Sequence, residues 1–338
     1  MHLSPKCMAS MSDVARRAGV SIATVSRVLN NNGKVRESTR ILILKAIKEL
    51  KYQPSRVAKR LRSKSVSGNL LGVLIPDIKN PFYVEVLEGI EEVAYRNNYA
   101  LIMCNFGQDD QKERLYLEIL QSEGIDGLIA APAHENDLQL KKMVKEGLPV
   151  VCVDRRLKDT DVDVVLVDNV RGAFQAVEHL ILAGYRRIAY ISGLSTIPSS
   201  LLRERGYREA LAKYGVPCDP VLVRRGDSKH QSGIQLCGEL LDLPDPPDAL
   251  FAGNNLITLG ALEEIHRRGL KIPKDIAIVG FDDMYWSSSL NPPLTAVRQP
   301  AGEIGRRAGE LLIQRINDPK RTSVQMMLNA ELIRRKST

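Results

Sequence analysis

From residue 70 to the end of the chain, short apolar runs alternate with amphipathic segments, and this alternation constrains the fold more than any other feature. The runs are nearly continuous in hydrophobic residues, which is typical of parallel strands that helices cover on both faces. About 270 residues of this pattern predict an α/β core of two doubly wound, parallel-sheet lobes. The predicted strands span residues 71–75, 100–104, 127–131, 149–153, 164–167, 187–191, 249–252, 276–281 and 295–297.

Positive charge is concentrated in the first 67 residues. They carry fifteen Lys and Arg against three Asp and Glu, whereas the remaining 271 residues carry 33 and 37. A basic head on a mildly acidic body is typical of a nucleic-acid-binding module that is joined to a second domain. Basic patches also bind membranes and acidic proteins, or simply form a solvated surface, so charge alone leaves those alternatives open.

Three short helices are predicted in this basic head, over residues 11–18, 22–29 and 37–50. Ser10 and Ser21 are the predicted N-caps of the first two helices. The third helix is expected to bury Ile41, Leu44, Ile47 and Leu50. Two short helices joined by a glycine turn suit insertion of the second one into a DNA major groove. Any small three-helix bundle would show the same apolar stripes.

The polar face of the second predicted helix favours DNA binding over a plain bundle. It presents Ser21, Thr24, Ser26 and Arg27, and no acidic residue. Short side chains allow close approach to a phosphate backbone, and an Arg fork can bond guanine O6 and N7 together. An ordinary exposed helix would more often carry Glu and Lys at mixed spacing.

The head resembles that of the lactose-repressor-like (LacI/GalR) family of transcription regulators in two runs, SDVARRAGVSIATVSRVLNNNGKVRESTR and LKYQPSRVAKRLR. The resemblance continues to the last residues and covers nearly the whole chain. It implies an all-α helix-turn-helix head and a core of the periplasmic-binding-protein type. It also implies a cytoplasmic repressor that binds a double-stranded DNA operator, responds to a small sugar-like effector and needs no cofactor.

The resemblance divides the chain into a DNA-binding domain over 1–54, a hinge helix and linker over 55–69, and an effector-binding and dimerisation core over 70–338. The expected lobes of the core are about 70–167 with 298–325, and about 168–297 with 326–338. No leucine-heptad segment follows the last apolar segment, so we expect a homodimer that reads a near-palindromic operator.

The DNA-binding residues that the resemblance implies lie in the head and in the hinge. They are Ser21, Ile22, Ala23, Thr24, Ser26, Arg27 and Asn30, with Val57, Ala58 and Leu61 in the hinge. Ile22 and Ala23 can offer only apolar contact, for instance to a thymine methyl. Leu61 occupies the position of an apolar wedge that enters the minor groove at the operator centre. A linker helix packed on its neighbour is the alternative for the hinge.

Polar side chains follow several predicted strands, at the edge where open parallel sheets bind ligands. Asp154 follows a strand of the first lobe, and Asp282 and Gln299 follow strands of the second. Carboxylates, amides and Arg suit a polyhydroxylated ligand whose apolar face an aromatic ring can cover. The resemblance implies the same cleft for a pentose, a hexose or a ribose-containing metabolite. Its sugar-binding positions are Asn80, Phe82, Tyr83, Asp154, Arg155, Arg203, Asn254, Asp282 and Gln299.

These effector residues also have structural alternatives. Asn80 and Asn254 are suited to cap helices, and Asp154 with Arg155 to form a solvated ion pair. Arg203 lies in a segment that is expected to form a helix, where an Arg is more often exposed. The alternatives are independent of one another, whereas a polar cleft explains all of these positions together.

The sequence departs from the family pattern at three positions of the cleft. Ala131 stands where an amide is expected, Ser228 where an aromatic ring often covers the ligand, and Asn255 where many regulators have Asp. The identity of the effector therefore stays open.

Three other classes of function compete with this interpretation. An enzyme is disfavoured because the sequence has no GxGxxG after a strand, no Walker A motif, no GxSxG elbow and no metal-ligand spacing of its five His and five Cys. A secreted receptor is disfavoured by the basic head and the lack of a secretory signal segment, and no apolar stretch is long enough to span a membrane. A regulator of the same family that a protein co-repressor controls is the remaining alternative.

Overall fold

The computed structural model describes residues 9–29, 35–50, 52 and 68–338, which belong to two compact units, Met1–Gly68 and Asn69–Thr338. The described part of the first unit contains helices α1 (Met11–Ala18), α2 (Ile22–Leu29) and α3 (Glu37–Glu49). The three predicted helix ranges are thereby confirmed to within one residue. Local capping explains why, because Ser10 forms a capping box with Asp13 and the Ser21 hydroxyl accepts from the Thr24 N–H at 3.2 Å.

The buried face of α3 differs from the predicted one. Ile41 and Leu44 are 58% and 52% exposed, whereas Ile43 and Ala46 are buried. Residues 41–44 are all apolar, so the periodicity fits more than one face of the helix. Packing against α1 and α2 selects the face of Ile43, which lies in one cluster with Val14, Ala15, Val25, Val28, Ala46 and Tyr52.

The second unit is an α/β core whose strands alternate with helices. Its first part contains β1 (Leu70–Ile75), α4 (Pro81–Arg96), β2 (Ala100–Asn105), α5 (Asp110–Ser122), β3 (Gly127–Ala130), α6 (Leu138–Lys145), β4 (Val150–Val153) and β5 (Asp163–Val167). Its second part contains α7 (Asn169–Leu182), β6 (Ile188–Ser192), α8 (Pro198–Lys213), β7 (Val223–Arg225), α9 (His230–Leu241), β8 (Ala249–Ala252), α10 (Asn255–Arg267), β9 (Ala277–Phe281) and β10 (Thr295–Arg298). The last part contains α11 (Ala301–Asn317), β11 (Gln325–Leu328) and β12 (Glu331–Ile333).

These strands form two six-stranded sheets, one for each lobe. The first has the order β11-β5-β4-β3-β1-β2, and the second has the order β12-β10-β9-β8-β6-β7. All pairs are parallel except β10 with β12, which is antiparallel. The doubly wound, two-lobed architecture is as predicted, and the antiparallel edge strand is an addition to it. The two sheets have equivalent orders, so β4 of the first lobe corresponds to β9 of the second.

The chain passes from one lobe to the other three times, between β5 and α7, between β10 and α11, and between β11 and β12. The last passage is at Asn329–Ala330, and the expected boundary between residues 325 and 326 is therefore wrong, because it falls inside β11. The sequence from 326 to 333 is mostly apolar and contains no Gly or Pro, so it is predicted as one segment. In the structure its two halves join different sheets.

Helices α4 and α11 cross in unusually close contact in the first lobe. A Cβ atom added to Gly305 would lie 2.0 Å from the Val86 carbonyl oxygen, and one added to Gly89 would lie 2.2 Å from the Gly302 carbonyl oxygen. Only glycine allows two backbones to approach so closely. The carboxyl-terminal helix α11 is thus held against the first helix of the same lobe.

Candidate ligand cleft and nucleic-acid interface

One cleft lies between the two lobes, at the carboxyl ends of their strands. Its volume is about 550 Å³ when the mouth that opens to solvent is included. All nine side chains predicted from the sequence line it, namely Asn80, Phe82, Tyr83, Asp154, Arg155, Arg203, Asn254, Asp282 and Gln299. The structure therefore brings the predicted set together, as the rule for parallel sheets requires.

Two aspartates occupy equivalent positions on the two sides of the cleft. Asp154 directly follows β4, and Asp282 directly follows β9. Both have left-handed backbone conformations, with φ of 61° and 74°. Asp tolerates this conformation better than most residues, and such backbones are concentrated at ligand sites. Each lobe thus ends its central strand with a carboxylate that lines the cleft.

On the side of the first lobe, Asp154 is held by a tyrosine and an arginine. The Tyr83 hydroxyl donates to Asp154 Oδ2 at 2.8 Å, and Arg155 Nε lies 3.5 Å from the same oxygen. Arg155 Nη1 also donates to the Pro132 carbonyl at 3.1 Å. Burial raises the pKa of Tyr83 well above its usual value, and the Asp154 charge raises it further, so the phenol stays protonated. Asp154 and Arg155 form a buried pair, not a solvated one.

On the side of the second lobe, Arg203 is buried at the centre of a polar network. Its Nε donates to Asn169 Oδ1 at 2.7 Å, and its Nη1 donates to the Gly253 carbonyl at 2.7 Å. Nη1 also lies 3.9 Å from Asp282 Oδ2, and the guanidinium carbon lies 3.7 Å from the Phe281 ring centroid. Arg203 thus lines the cleft as predicted, and the alternative of an exposed helix residue is wrong, because this face of α8 packs on the strand ends.

Asp282 is the most enclosed carboxylate of the lining. Gln299 Nε2 donates to its Oδ1, and its Oδ2 faces Arg203. Burial raises the pKa of Asp282, while the Arg203 charge and the Gln299 hydrogen bond oppose the increase. The network fixes both oxygens of the carboxylate relative to the cleft.

The two predicted capping residues do cap helices, and this structural role exists beside any contact with a ligand. Asn80 Oδ1 accepts from the Phe82 N–H at 3.0 Å at the start of α4. Asn254 Oδ1 accepts from the Ile257 N–H at 2.7 Å, and its Nδ2 donates to the Ser228 carbonyl at 2.9 Å. Each of the two polar atoms of Asn254 thus already forms one hydrogen bond within the protein.

Asn255 provides a direct hydrogen bond between the lobes. Its Nδ2 donates to Asn80 Oδ1 at 2.8 Å. An Asp at this position would have no N–H to donate. The departure from the family pattern at Asn255 therefore adds a contact across the cleft rim.

Sequence reasoning missed several other lining residues. They include Gln108, Gly193, Ile197, Ser199, Ser200, Gly253 and Leu256. Gln108 and Gly193 follow β2 and β6, so the rule of reading what comes after each strand would have found them. Ser199 and Ser200 lie in the first turn of α8, and no strand end precedes them directly. Ser228, noted above as a departure from the pattern, does line the cleft, whereas Ala131 is not among its lining residues.

Two polar atoms of the lining side chains are buried without a hydrogen-bond partner among the described residues. They are Gln299 Oε1, an acceptor, and Arg155 Nε, a donor. An unpaired buried polar atom costs about 1–3 kcal/mol. A ligand hydroxyl can both donate and accept, so polyhydroxylated molecules are suited to satisfy both atoms.

Glu113 carries a buried carboxyl group that contacts the loop containing Pro132, whose carbonyl accepts from Arg155. Glu113 of α5 is 1% exposed, and its Oε1 accepts from the Ala133 N–H at 3.0 Å. Burial raises the pKa of Glu113 from 4.5 to about 7, and the hydrogen bond from Ala133 opposes the increase. The folded state thus binds this proton more tightly than the unfolded state does. Stability should therefore fall as the pH rises from about 4.5 to about 7.

We expect Glu113→Gln to stabilise the protein at pH 8 by about 2 kcal/mol, and by much less at pH 5. Gln keeps an oxygen that accepts from Ala133 and carries no charge to bury. Thermal unfolding at the two pH values measures the difference. Glu118→Gln, on the exposed face of the same helix, is the control and should not change the pH dependence. Equal gains for Glu113→Gln at pH 5 and pH 8 would contradict the assignment of the raised pKa.

In the head, the residues of α2 that are predicted to contact DNA bases are exposed to solvent. Ile22 is 48% exposed, and Ala23 and Arg27 are exposed as well. Ser21 caps the helix, and its hydroxyl lies 2.8 Å from the Thr24 hydroxyl. Thr24 and Ser26 are half-buried. The predicted residues Asn30, Val57, Ala58 and Leu61 lie outside the described residues.

Within residues 9–29, 35–50, 52 and 68–338 there is no group of three or more His, Cys, Asp or Glu side chains that could hold a metal ion. In the same ranges, no helix is both long and apolar enough to cross a bilayer.

Comparison with known proteins gives matches over both units. A family model described as bacterial regulatory proteins, lacI family, matches residues 10–55, and one described as periplasmic binding proteins and sugar binding domain of LacI family matches residues 69–336. The chain is 35% identical over 333 residues to the HTH-type transcriptional repressor CytR of Escherichia coli (strain K12), covering 98% of this chain and 96% of that protein.

Two solved structures are similar over the core or over the whole chain. The Lac repressor dimer bound to operator and the anti-inducer ONPF has a TM-score of 0.83 at 28% identity, covering 97% of this chain and 98% of that one. A LacI family transcriptional regulator from Enterococcus faecium with bound ribose has a TM-score of 0.74 at 30% identity, covering 80% of this chain and 98% of that one.

Proposed function

This chain belongs to the LacI family of bacterial regulatory proteins, and from that premise we propose that a small sugar-like effector in the interlobe cleft sets its affinity for operator DNA. The protein is a DNA-binding transcription regulator of the repressor type and not an enzyme. One observation carries the proposal about the cleft, namely that nine side chains selected from the sequence line a single cavity.

The effector that we propose is a pentose, a hexose or a ribose-containing metabolite. Asp154 and Asp282 can each accept from hydroxyls, and Gln299 Oε1 is a buried acceptor that needs a donor. Phe82, on the first lobe, can cover an apolar face of a sugar ring. The Enterococcus faecium regulator that was solved with bound ribose supports this class of ligand.

We also propose that α2 reads a near-palindromic operator in the major groove and that the protein acts in the cytoplasm as a homodimer. In this proposal residues 1–54 bind DNA, 55–69 form the hinge and linker, and 70–338 bind the effector and dimerise. Arg27 reads a guanine, while Ile22 and Ala23 contact apolar edges such as thymine methyls. The similar Lac repressor dimer bound to operator supports this arrangement. The roles of Asn30, Val57, Ala58 and Leu61 rest on the sequence resemblance alone.

The function is tested by selecting genomic DNA fragments with the purified protein and then titrating the complex with candidate effectors. We expect one enriched near-palindromic motif, and a change in operator affinity with a sugar or a ribose-containing metabolite. The genes beside the selected fragments narrow the choice of effector. An operator affinity that responds to a protein partner and to none of the small molecules would contradict the proposed effector.

Arg27→Ala should cost about 1–3 kcal/mol of discrimination at one base pair of each half-site. The physical reason is that Ala cannot donate the two hydrogen bonds that distinguish guanine in the major groove. Binding to the operator and to single-base variants, measured at fixed salt, gives this value.

Arg16→Ala is the matched control, because it removes the same charge from α1, where Arg16 is exposed and pairs with Asp13 at 3.4 Å. It should weaken specific and random binding by the same factor. If Arg27→Ala also lowered affinity equally for every sequence, the base-reading role of Arg27 would be wrong.

A further inference from the structure

We propose that the cleft selects an uncharged polyhydroxylated effector and rejects the phosphorylated form of the same molecule. This inference rests on the proposed function, because it specifies the chemical class that the effector site accepts. It follows from how the charges of the lining are paired and from which polar atoms are left without partners.

Both guanidinium groups of the described lining are already matched by carboxylates. Arg155 Nε lies 3.5 Å from Asp154 Oδ2, and Arg203 Nη1 lies 3.9 Å from Asp282 Oδ2. In each pair both side chains are at least nine-tenths buried. Anion sites in proteins usually present an Arg or Lys whose donors are free to form two parallel bonds to the ligand. Here each Arg already has a carboxylate beside it, so a phosphate would compete with that carboxylate for the guanidinium.

Two of the three nitrogen atoms of the Arg203 guanidinium are bonded to the protein as well. Its Nε is bonded to Asn169 and its Nη1 to the Gly253 carbonyl, both at 2.7 Å. A phosphate that formed two parallel bonds to Nε and Nη1 would have to break these bonds and separate the group from Asp282. Breaking buried polar pairs is costly, since each separated partner is left desolvated.

The formal charge of the lining is negative. Asp77, Asp154 and Asp282 outnumber Arg155 and Arg203, and among the described lining residues there is no Lys or His. The Asp154 charge also raises the pKa of Asp282, which indicates that the two carboxylates repel each other across the cleft. A phosphate dianion would add to this repulsion in a poorly solvated space.

The acceptor oxygens of the cleft favour donors on the ligand, and the one unpaired donor of the lining, Arg155 Nε, can be satisfied by the oxygen of a hydroxyl. Gln299 Oε1 is buried and has no partner among the described residues, and the two aspartates are acceptors. A hydroxyl can donate to such oxygens, whereas a phosphate dianion has only acceptor oxygens. An uncharged sugar therefore supplies what the lining lacks.

The N-terminus of α8, in contrast, would favour an anion. The first turn of α8, with Ser199 and Ser200, faces the cleft, and helix N-termini attract anions through their free N–H groups. The partial charge at a helix N-terminus is about half a unit and does not neutralise the carboxylates. The two serine hydroxyls are neutral groups that also bind sugar hydroxyls.

The test uses the full-length protein and pairs of probes, for example ribose with ribose 5-phosphate and glucose with glucose 6-phosphate, together with nucleosides and their monophosphates. Calorimetry measures binding, and the emission of Trp286 is a second readout. Trp286 is the only Trp of the chain, and it lies half-buried in the turn Tyr285–Ser289, which follows Asp282. We expect one uncharged member of the panel to bind about 100-fold more tightly than its phosphate ester.

Asp282→Asn provides the diagnostic variant. It keeps the shape of the side chain but removes a negative charge, so the preference for the uncharged probe over its phosphate should fall by about tenfold or more. Glu209→Gln is the matched control, because it removes the same charge from an exposed position of α8, where Glu209 pairs with Arg205 at 2.6 Å. This control should leave the preference unchanged.

One outcome would contradict the inference alone, and another would contradict the proposed function as well. Tighter binding of a phosphate ester than of its parent sugar would overturn the inference and leave a sugar-like effector in place. Binding of no member of the panel in calorimetry, emission or operator affinity would contradict the proposed function, and the inference with it. An unchanged preference in Asp282→Asn would show that the paired carboxylates do not set the selection.

Discussion

Replacing Arg203 by Ala is expected to abolish effector binding, with a loss of at least about 100-fold in affinity. The substitution leaves Asp282 buried without its counter-charge, and it also leaves Asn169 Oδ1 and the Gly253 carbonyl without a donor. Removing one partner of a buried ion pair costs about 3–5 kcal/mol of folding stability. Asp282 also loses the groups that orient it toward the effector, and a loss of about 3 kcal/mol in binding corresponds to roughly 100-fold. Calorimetry with the sugar found for the wild type measures the loss.

Arg205→Ala is the control for this experiment. Arg205 lies on the same helix, but it is exposed and pairs with Glu209 on the surface. Its removal should change effector affinity by less than about twofold. Thermal unfolding of both variants identifies how much of the Arg203→Ala effect reflects stability. Wild-type affinity in a folded Arg203→Ala protein would contradict the role of Arg203 in the cleft.

The second large effect is expected at the crossing of α4 and α11. Gly305→Ala should destabilise the first lobe by about 3 kcal/mol or more, because the new Cβ atom would lie 2.0 Å from the Val86 carbonyl oxygen. That atom belongs to a helix backbone and cannot move without separating the two helices. Chemical denaturation measures the change in the free energy of unfolding.

Gly302→Ala is a closely matched control, since it makes the same change one turn earlier on the same helix. A Cβ atom at Gly302 would meet only Arg306 Nη1, at 3.5 Å, which is an ordinary contact with the end of a flexible side chain. It should therefore be neutral, or stabilising by up to about 1 kcal/mol. Similar losses of stability for the two variants would show that helix separation is not the cause.

The cleft was predictable because it depends on few details of the fold. Parallel strands place their carboxyl ends at one edge, so the residue after each strand is known once the strand ends are known to within a residue or two. Asp154 and Asp282 were found in this way. The helices of the head were predictable for a local reason, since Ser10 and Ser21 fix the start of α1 and α2 through side-chain caps.

The sequence pattern alone could not predict which face of some helices is buried, or which sheet some segments join. The apolar and charged residues of α8 are spread around the helix, so periodicity does not identify its buried side, and Arg203 was predicted from the family resemblance alone. The apolar run 41–44 of α3 has the same ambiguity. No Gly or Pro marks the change of sheet at Asn329–Ala330. Strands β11 and β12 are assigned to different sheets only by their pairing with β5 and β10.

The passage of the chain back into the first lobe has a consequence for synthesis on the ribosome. Strands β1 to β5 emerge first, but α11 and β11, which complete that lobe, are made only after the whole second lobe through β10. Until then the face of α4 that α11 covers stays open, including Val86 and Val93. The two lobes are therefore not successive folding units. A nascent chain of this kind exposes an incomplete hydrophobic lobe for the time needed to translate more than a hundred further residues.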